Sequence, residues 1–365
     1  MKKKKVGLIF GGKSTEHEVS LQSAKNIIEA MDKTKYDVFL IGIDKKGRWH
    51  IKNNLKFLLN SSNPALLEFE KNKSEVAIVP GENKNQILNL DTQEDFDQLD
   101  VIFPIIHGTF GEDGSLQGML RMANIPFVGS SVLGSAISMD KDTSKRLLKA
   151  AGFNVAKSYT FTQANKNEIN FEEIASVLGL PLFIKPSNQG SSVGVNKVYT
   201  KLEFETGIEE AFKFDHKILI EEEIVGREIE CSILGNDYPI ASLPGEVISK
   251  GDFYSYHAKY IDENGAILEI PAKLNNNRIT KIQELAIKAF QTLNCEGLAR
   301  VDFFLRKDDS VVINEVNTIP GFTKRSMYPK LWEASGISYS QLIDKLIELA
   351  IERHHRDSGF KKSLN

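Results

Sequence analysis

Two short segments in the C-terminal third place an arginine, two carboxylates and two amides at strand spacing. The first runs from Gly297 to Leu305 and carries Arg300 and Asp302; the second runs from Val311 to Gly321 and carries Asn314, Glu315 and Asn317. Side chains on a strand alternate with a period of two, so Arg300 shares a face with Asp302, and Glu315 shares one with Asn317. The residues between the two runs include Lys307, Asp308 and Asp309 and suit a hairpin turn that sets these faces side by side. Asp302, Glu315 and the Asn317 amide oxygen would then form a hard donor set for Mg²⁺, which prefers oxygen and usually keeps phosphate and water as further ligands. Arg300 beside them is a clamp for an anion. A charged, exposed sheet face is the bland alternative, and the buried character of the interleaved Val, Ile and Phe residues argues against it.

A second constellation lies at Pro186-Ser187-Asn188-Gln189-Gly190-Ser191-Ser192-Val193-Gly194, which joins two strand-like segments. Glycine and small hydroxyl residues, Ser191 and Ser192 among them, let backbone N–H groups approach phosphate oxygens closely. Lys185 precedes this loop on an otherwise apolar strand, where an ammonium needs an anionic partner, and a phosphate would supply one. Glu221 and Glu228 lie at the end of and after another strand; carboxylates there can accept from ribose hydroxyls or an adenine amino group, while Ile224 offers backbone groups to a ring edge. A solvated acidic strand end is the competing reading for these. The P-loop pattern is absent, and the first Gly-Gly loop lacks G-x-G-x-x-G, which disfavours a dinucleotide-binding oxidoreductase.

These residues need scaffolds. Val6–Phe10 reads as a first buried strand, followed by a Gly-Gly loop and a helix from about Ser20 with Leu21, Ala24, Ile27 and Ile28 as its apolar stripe. Tyr36–Ile43 and Val101–Ile106 read as further strands and Ser115–Met122 as a helix, a βα pattern whose functional loops sit at the carboxyl ends of a mostly parallel sheet. His107 ends the strand at Ile106 and so falls at such an end. Lys45–Leu99 is less regular and rich in Asn, Glu and Lys. A helix over about Lys141–Ala151 leads into strands at Ala156–Phe161, Leu182–Lys185 and Gly194–Tyr199, with a helix near Phe171–Leu178. Strands at Ile218–Glu221, Glu228–Leu234 and Pro239–Ser249 and helices at Arg278–Leu293 and Tyr339–Arg353 complete the pattern. The expected fold is α/β and α+β, divided at 1–125, 126–217 and 218–365.

The chain has 365 residues, 41% hydrophobic and 26% charged, which is ordinary for a globular protein. A net charge of −3 provides no electrostatic footprint for nucleic acid. The Lys2–Lys5 run precedes an apolar stretch too short for a signal peptide, and no apolar run approaches the ~20 residues that span a bilayer. Cys231 and Cys295 form neither a zinc spacing nor a disulfide framework. A cytoplasmic protein without membrane or nucleic-acid partners is expected.

A set of motifs in a fixed order covers nearly the whole chain: Gly11-Gly12-Lys13-Ser14-Thr15-Glu16, His107-Gly108 through Gly118, Met139-Asp140-Lys141, Lys185-Pro186-Ser187 through Gly194, Ala258-Lys259-Tyr260, and Asn314-Glu315-Val316-Asn317 through Gly321. In combination they closely resemble the D-alanine–D-alanine ligases of the ATP-grasp superfamily. The resemblance implies an N-terminal Rossmann-like parallel-sheet domain followed by a two-lobed ATP-grasp module. It implies ligation of two D-alanines for peptidoglycan precursor synthesis, with ATP activating the first as an acyl phosphate. By that resemblance Lys141 and Lys185 hold phosphates, and Glu221, Ile224 and Glu228 hold adenosine. Asp302, Glu315 and Asn317 hold two Mg²⁺ or Mn²⁺, with Glu315 bridging. Glu16 takes the ammonium of the first D-alanine, and His107 lies in the same crevice. Arg300 and the Gly321 N–H form an oxyanion hole, Ser326 takes the second carboxylate, and Ser191 and Tyr260 join Glu16 to latch a lid over roughly Lys250–Ile261, from which Lys259 reaches the transferred phosphate. Met327 stands where a leucine is expected, a swap that keeps apolar volume. The family further implies a homodimer. D-lactate or D-serine as second substrate is the nearest rival, disfavoured by Lys259-Tyr260. A regulator that has lost catalysis would lack metal ligands or the arginine, and none is missing.

Overall fold

The computed structural model describes residues 2–52, 75–81, 86–92, 98–249 and 266–361. Its first sheet is built on the apolar strand β1 (Lys4–Gly11), which pairs in parallel with β2 (Tyr36–Ile43); β3 (Trp49–Lys52) adds antiparallel to β2. A small hairpin of β4 (Val76–Ile78) and β5 (Ile87–Asn89) stands apart, and β6 (Val101–Pro104) completes the order β3-β2-β1-β6. Strand alternation splits the core. Val6, Leu8 and Phe10 face the helix His17–Ala30 and the C-terminal helix Tyr339–Ser358, while Ile9, Ile41 and Ile102 face the helix Ser115–Met122. The last helix of the chain therefore seals the first sheet, and apolar Leu342, Ile343, Leu346 and Ile347 are its buried stripe.

The second sheet is antiparallel, with order β7-β10-β8-β9: β7 (Ser158–Thr162), β8 (Leu182–Pro186), β9 (Asn196–Val198) and β10 (Lys217–Glu222). Its β8–β9 connection is the Gly/Ser loop. The third sheet holds β11 (Arg227–Gly235), the two-residue β12 (Ile240–Ala241), β13 (Gly245–Ser249), β14 (Ala266–Glu269), β15 (Gly297–Leu305) and β16 (Val311–Asn317), in the order β14-β13-β11-β15-β16 with β12 beside β11. The helix Asn276–Thr292 covers its apolar face with Ile282, Ala286, Ala289 and Phe290 against Val301 and Phe303. No described helix is long and apolar enough to cross a membrane.

Local chemistry explains where the elements depart from the sequence pattern. The first helix begins at His17 rather than near Ser20, because Ser20 does not cap it; its hydroxyl accepts from the Gly11 N–H and donates to the Ile105 carbonyl, tying the helix to the ends of β1 and β6. The run Pro239–Ser249 is two strands rather than one. Pro244 sits in the break, and proline lacks the N–H a ladder needs. Helices at Val132–Met139, Lys201–Ala211 and Met327–Ala334, and strands inside the irregular 45–99 segment, were not expected.

Candidate active site

The hairpin β15–β16 aligns Arg300 with Asn317 and Asp302 with Glu315. The register shifts between Asp302 and Phe303, so that Phe303 pairs with Ile313 and Asn314 is the extra residue of a bulge. On the other side of β15, Asp302 pairs with Glu230 of β11. Three carboxylates, Glu230, Asp302 and Glu315, thus lie in one row across three strands. Like charges directly opposite one another destabilise a sheet, so this row needs cations. Arg300 supplies one. Its Nε lies 2.7 Å from Asp302 Oδ1 and 2.8 Å from Glu230 Oε2, and its Nη2 donates to Asp302 Oδ2 at 2.7 Å. Burial would lower the Arg300 pKa, but Asp302 and Glu230 raise it well above the ordinary value and keep the guanidinium charged. Lys141 lies 3.7 Å from Glu315.

Opposite this row, the lysines sit in the reverse proportion. Glu221, only 2% exposed, is shared by Lys185 at 2.7 Å and Lys145 at 3.1 Å. Burial pushes the Glu221 carboxyl up, and the two lysines more than offset it, leaving it below the ordinary carboxylate range. Lys185 thus has a protein partner in addition to any phosphate, and Glu221 is a buried ion-pair member rather than a solvated strand end. The adjacent loop holds Ser191 and Ser192 at φ 51° and 60°. Two successive left-handed residues that are not glycine cost about 1 kcal/mol or more each, and such curvature turns N–H groups toward a common point.

Two cavities meet here. The larger, about 510 Å³, is lined by Lys141, Lys185, Ser192, Glu221, Ile224, Glu228 and Asp302; the smaller, about 140 Å³, by Glu16, His107, Arg300, Asn317, Gly321, Ser326 and Met327. Ser191, Glu230 and Glu315 border both. Each site residue read from the sequence within the described residues therefore lines one cavity or both, while Lys259, Tyr260 and the expected lid fall outside the described residues.

The D-ala D-ala ligase N-terminus matches residues 5–130 and the D-ala D-ala ligase C-terminus matches 147–348. The D-alanine–D-alanine ligase of Shouchella clausii is 65% identical over 364 residues, covering 100% of this chain and 99% of that protein. The chain belongs to the D-alanine–D-alanine ligase family. Among solved structures, the D-Ala:D-Ser ligase VanG of Enterococcus faecalis is similar with a TM-score of 0.85 at 39% identity, over 96% of this chain and 100% of that one. The Bacillus anthracis D-alanine–D-alanine ligase complexed with ATP is similar with a TM-score of 0.72 at 28% identity, over 97% of this chain and 99% of that one.

In this ligase-family chain the smaller cavity is closed by contacts between distant segments. Glu16, 6% exposed, accepts from the Ser191 hydroxyl across the crevice. Gly108, at φ +76°, lies so close that a Cβ there would come within 2.7 Å of the Glu16 carboxylate. His107 borders the cavity, but both ring nitrogens are engaged: Nδ1–H donates to the Ile319 carbonyl at 2.9 Å, and Nε2 accepts from Ser23 at 3.1 Å. Burial lowers its pKa despite Glu16 nearby, so the ring is neutral and pins the 319–322 turn to the first helix. Ser326 accepts from the Thr323 N–H at 3.0 Å, and a Cβ on Gly321 would come within 2.8 Å of its hydroxyl.

Three residues at the site escaped the sequence reading. Glu230 lies two positions from Glu228 on one face of β11, so strand alternation was a usable signal. Lys145 lies one helical turn after Lys141, a spacing that brings both to one helix face. Glu112 accepts from the Gly108 N–H at 2.9 Å and the Ile319 N–H at 3.0 Å, linking two loops far apart in sequence, for which no local signal exists.

The carboxylate oxygens of Glu315 and Asp302 with the amide oxygen of Asn317 fit Mg²⁺ or Mn²⁺ in donor chemistry. Among the described residues, no three His, Cys, Asp or Glu side chains converge as a metal site, so Asn317 is needed as the third donor. Asp302 is presently held by Arg300 and by the Asn317 Nδ2 at 3.0 Å.

Proposed function

We propose that this chain joins two D-alanines into D-alanyl-D-alanine, converting ATP to ADP and phosphate through an acyl phosphate, for peptidoglycan precursor synthesis. The observation that carries it is the seam between the cavities: a pocket of about 510 Å³ that holds Lys141, Lys185 and the Ser191–Ser192 turn opens, past Ser191 and Glu315, onto a small pocket holding Arg300 and Glu16. Full-length kinship to D-alanine–D-alanine ligases and the ATP-bound structural neighbour support the same reading.

In this reading Lys141 and Lys185 hold phosphates, aided by Ser191 and Ser192 at the loop, while Glu221, Ile224 and Glu228 face the nucleoside. Asp302, Glu315 and Asn317 would hold two Mg²⁺ or Mn²⁺, whose charge would offset that of the phosphates as a carboxylate approaches. Glu16 anchors the ammonium of the first D-alanine. A carboxylate oxygen of that first D-alanine attacks the γ-phosphorus and displaces ADP, giving the acyl phosphate. The second D-alanine, its carboxylate held by Ser326 beside Met327, then attacks the acyl carbon through its amine. Arg300 and the Gly321 N–H steady the oxyanion, and phosphate leaves and takes up the proton that the amine gives up. Lys259 and Tyr260 act by resemblance in closing the site. The chain is read as three domains, 1–125, 126–217 and 218–365, acting as a cytoplasmic homodimer.

Purified protein with ATP, Mg²⁺ and D-alanine should release phosphate and D-alanyl-D-alanine in equal amounts. Parallel reactions with D-alanine plus D-serine or D-lactate test the second subsite, for which VanG is the relevant neighbour. Phosphate release only when D-serine is present would overturn the assignment, as would no release at all.

A further inference from the structure

Glu230 is assigned no part in the reaction above, yet it occupies the seam. It is 5% exposed, borders both cavities, and lies directly across β11–β15 from Asp302. A carboxylate buried opposite another carboxylate works against the sheet, so its presence calls for a reason beyond folding.

The reason lies in how Arg300 is held. Arg300 must stay at the small cavity to meet a reacting carboxylate, but its strongest tether is Asp302, which takes both Nε and Nη2 at 2.7 Å. Asp302 cannot keep both of those bonds and also turn its oxygens to a divalent cation. The second tether is Glu230, whose Oε2 lies 2.8 Å from the same Nε; while that N–H is given to Asp302 the contact is an ion pair, and once Asp302 turns away the N–H can pass to Glu230. Glu230 borders both cavities and Arg300 only the smaller, so a guanidinium retained by Glu230 remains at the seam.

We propose that Glu230 is a positioning residue that keeps the Arg300 guanidinium in place when Asp302 turns from it to a divalent cation. The inference rests on the assignments of Asp302 to the cation and Arg300 to the oxyanion. It differs from a general field effect in one respect: reach counts for more than charge. Glutamine at 230 keeps an oxygen that can accept the Nε–H when Asp302 releases it, and loses the charge. Aspartate keeps the charge and draws it back by one methylene.

The test compares wild type, Glu230→Gln and Glu230→Asp in the full chain. Three quantities are read: Mn²⁺ binding without nucleotide, from the electron paramagnetic resonance signal of free Mn²⁺; thermal melting; and kcat with KM for ATP and D-alanine. Glu230→Asp should lower kcat about tenfold or more, with KM for ATP within about twofold, because a displaced catalytic group costs rate rather than nucleotide affinity. It should also weaken Mn²⁺ binding about tenfold, since Arg300 then holds Asp302 more tightly. Glu230→Gln should remain within about threefold of wild type in both. The reverse order, or equal loss in both variants, would overturn the proposal, and so would wild-type behaviour of Glu230→Asp. If wild type itself turned over no ATP with D-alanine, the proposed reaction would fall, while the order of Mn²⁺ affinities would still decide the role of Glu230.

Discussion

The two charged clusters that face each other across the crevice use the same groups in inverse proportion. On the loop side, Lys145 and Lys185 share one carboxylate, Glu221. On the sheet side, Arg300 serves two, Glu230 and Asp302, with Glu315 next in the row. Each cluster is paired enough to be buried, because an isolated ion in such a setting is far costlier than a paired one. Neither is balanced. The first carries surplus positive charge and the second surplus negative charge, so the first favours phosphate and the second a divalent cation. Lys141, 3.7 Å from Glu315, joins them. Paired buried charges are often regarded as structural, but here the direction of the imbalance points to the ligand.

The largest effect should come from lowering the surplus on the sheet side. Glu315→Gln removes charge from a residue that borders both cavities, and phosphate release with ATP, D-alanine and Mg²⁺ should fall by about a thousandfold. Near-normal turnover would remove Glu315 from the cation site. On the loop side the anion is the minority partner, and its loss should register as instability. Glu221→Gln leaves Lys145 buried without a carboxylate, although burial already lowers the Lys145 pKa. Chemical denaturation at neutral pH should show a loss of about 3 kcal/mol. An unchanged unfolding free energy would mean that the lysines do not depend on Glu221.

The smallest effect concerns a carboxyl outside both clusters. Burial, with Glu16 and Glu315 close by, pushes Glu112 up to about 8 from 4.5. A carboxyl raised in the folded state contributes its full stability below pH 4.5 and loses it as pH rises through 8. Glu112→Gln cannot titrate, so its stability relative to wild type should improve between pH 5 and pH 8 by about 1 kcal/mol or more. A difference independent of pH would place Glu112 in the ordinary carboxylate range.

What could be read in advance follows from how local the physics is. The β15–β16 hairpin was legible because alternation and turn chemistry are local and set the two polar faces side by side, but Asp302 comes opposite Glu315 only through the bulge at Asn314, which neither signal contains. Lys185 could be recognised as a cation on an apolar strand, but its partner Glu221 lies one strand away and requires the β10–β8 register to be known. Glu230 showed the same alternation as Glu228 yet gained meaning only from the β11–β15 pairing. Thr200 and Glu203 form a capping box at the start of Lys201–Ala211, a local signal that was present and unused. The link from Glu112 to Ile319 spans segments that no short motif joins.

The charge inversion itself can be tested by binding alone, without turnover. Wild type, Lys185→Gln and Glu315→Gln should each be titrated calorimetrically with ADP in the absence of metal and with Mn²⁺ in the absence of nucleotide. Lys185→Gln should weaken ADP about tenfold and leave Mn²⁺ within about twofold, while Glu315→Gln should weaken Mn²⁺ about tenfold without weakening ADP. Equal losses of both ligands in both variants, or losses in the opposite pairing, would contradict the account.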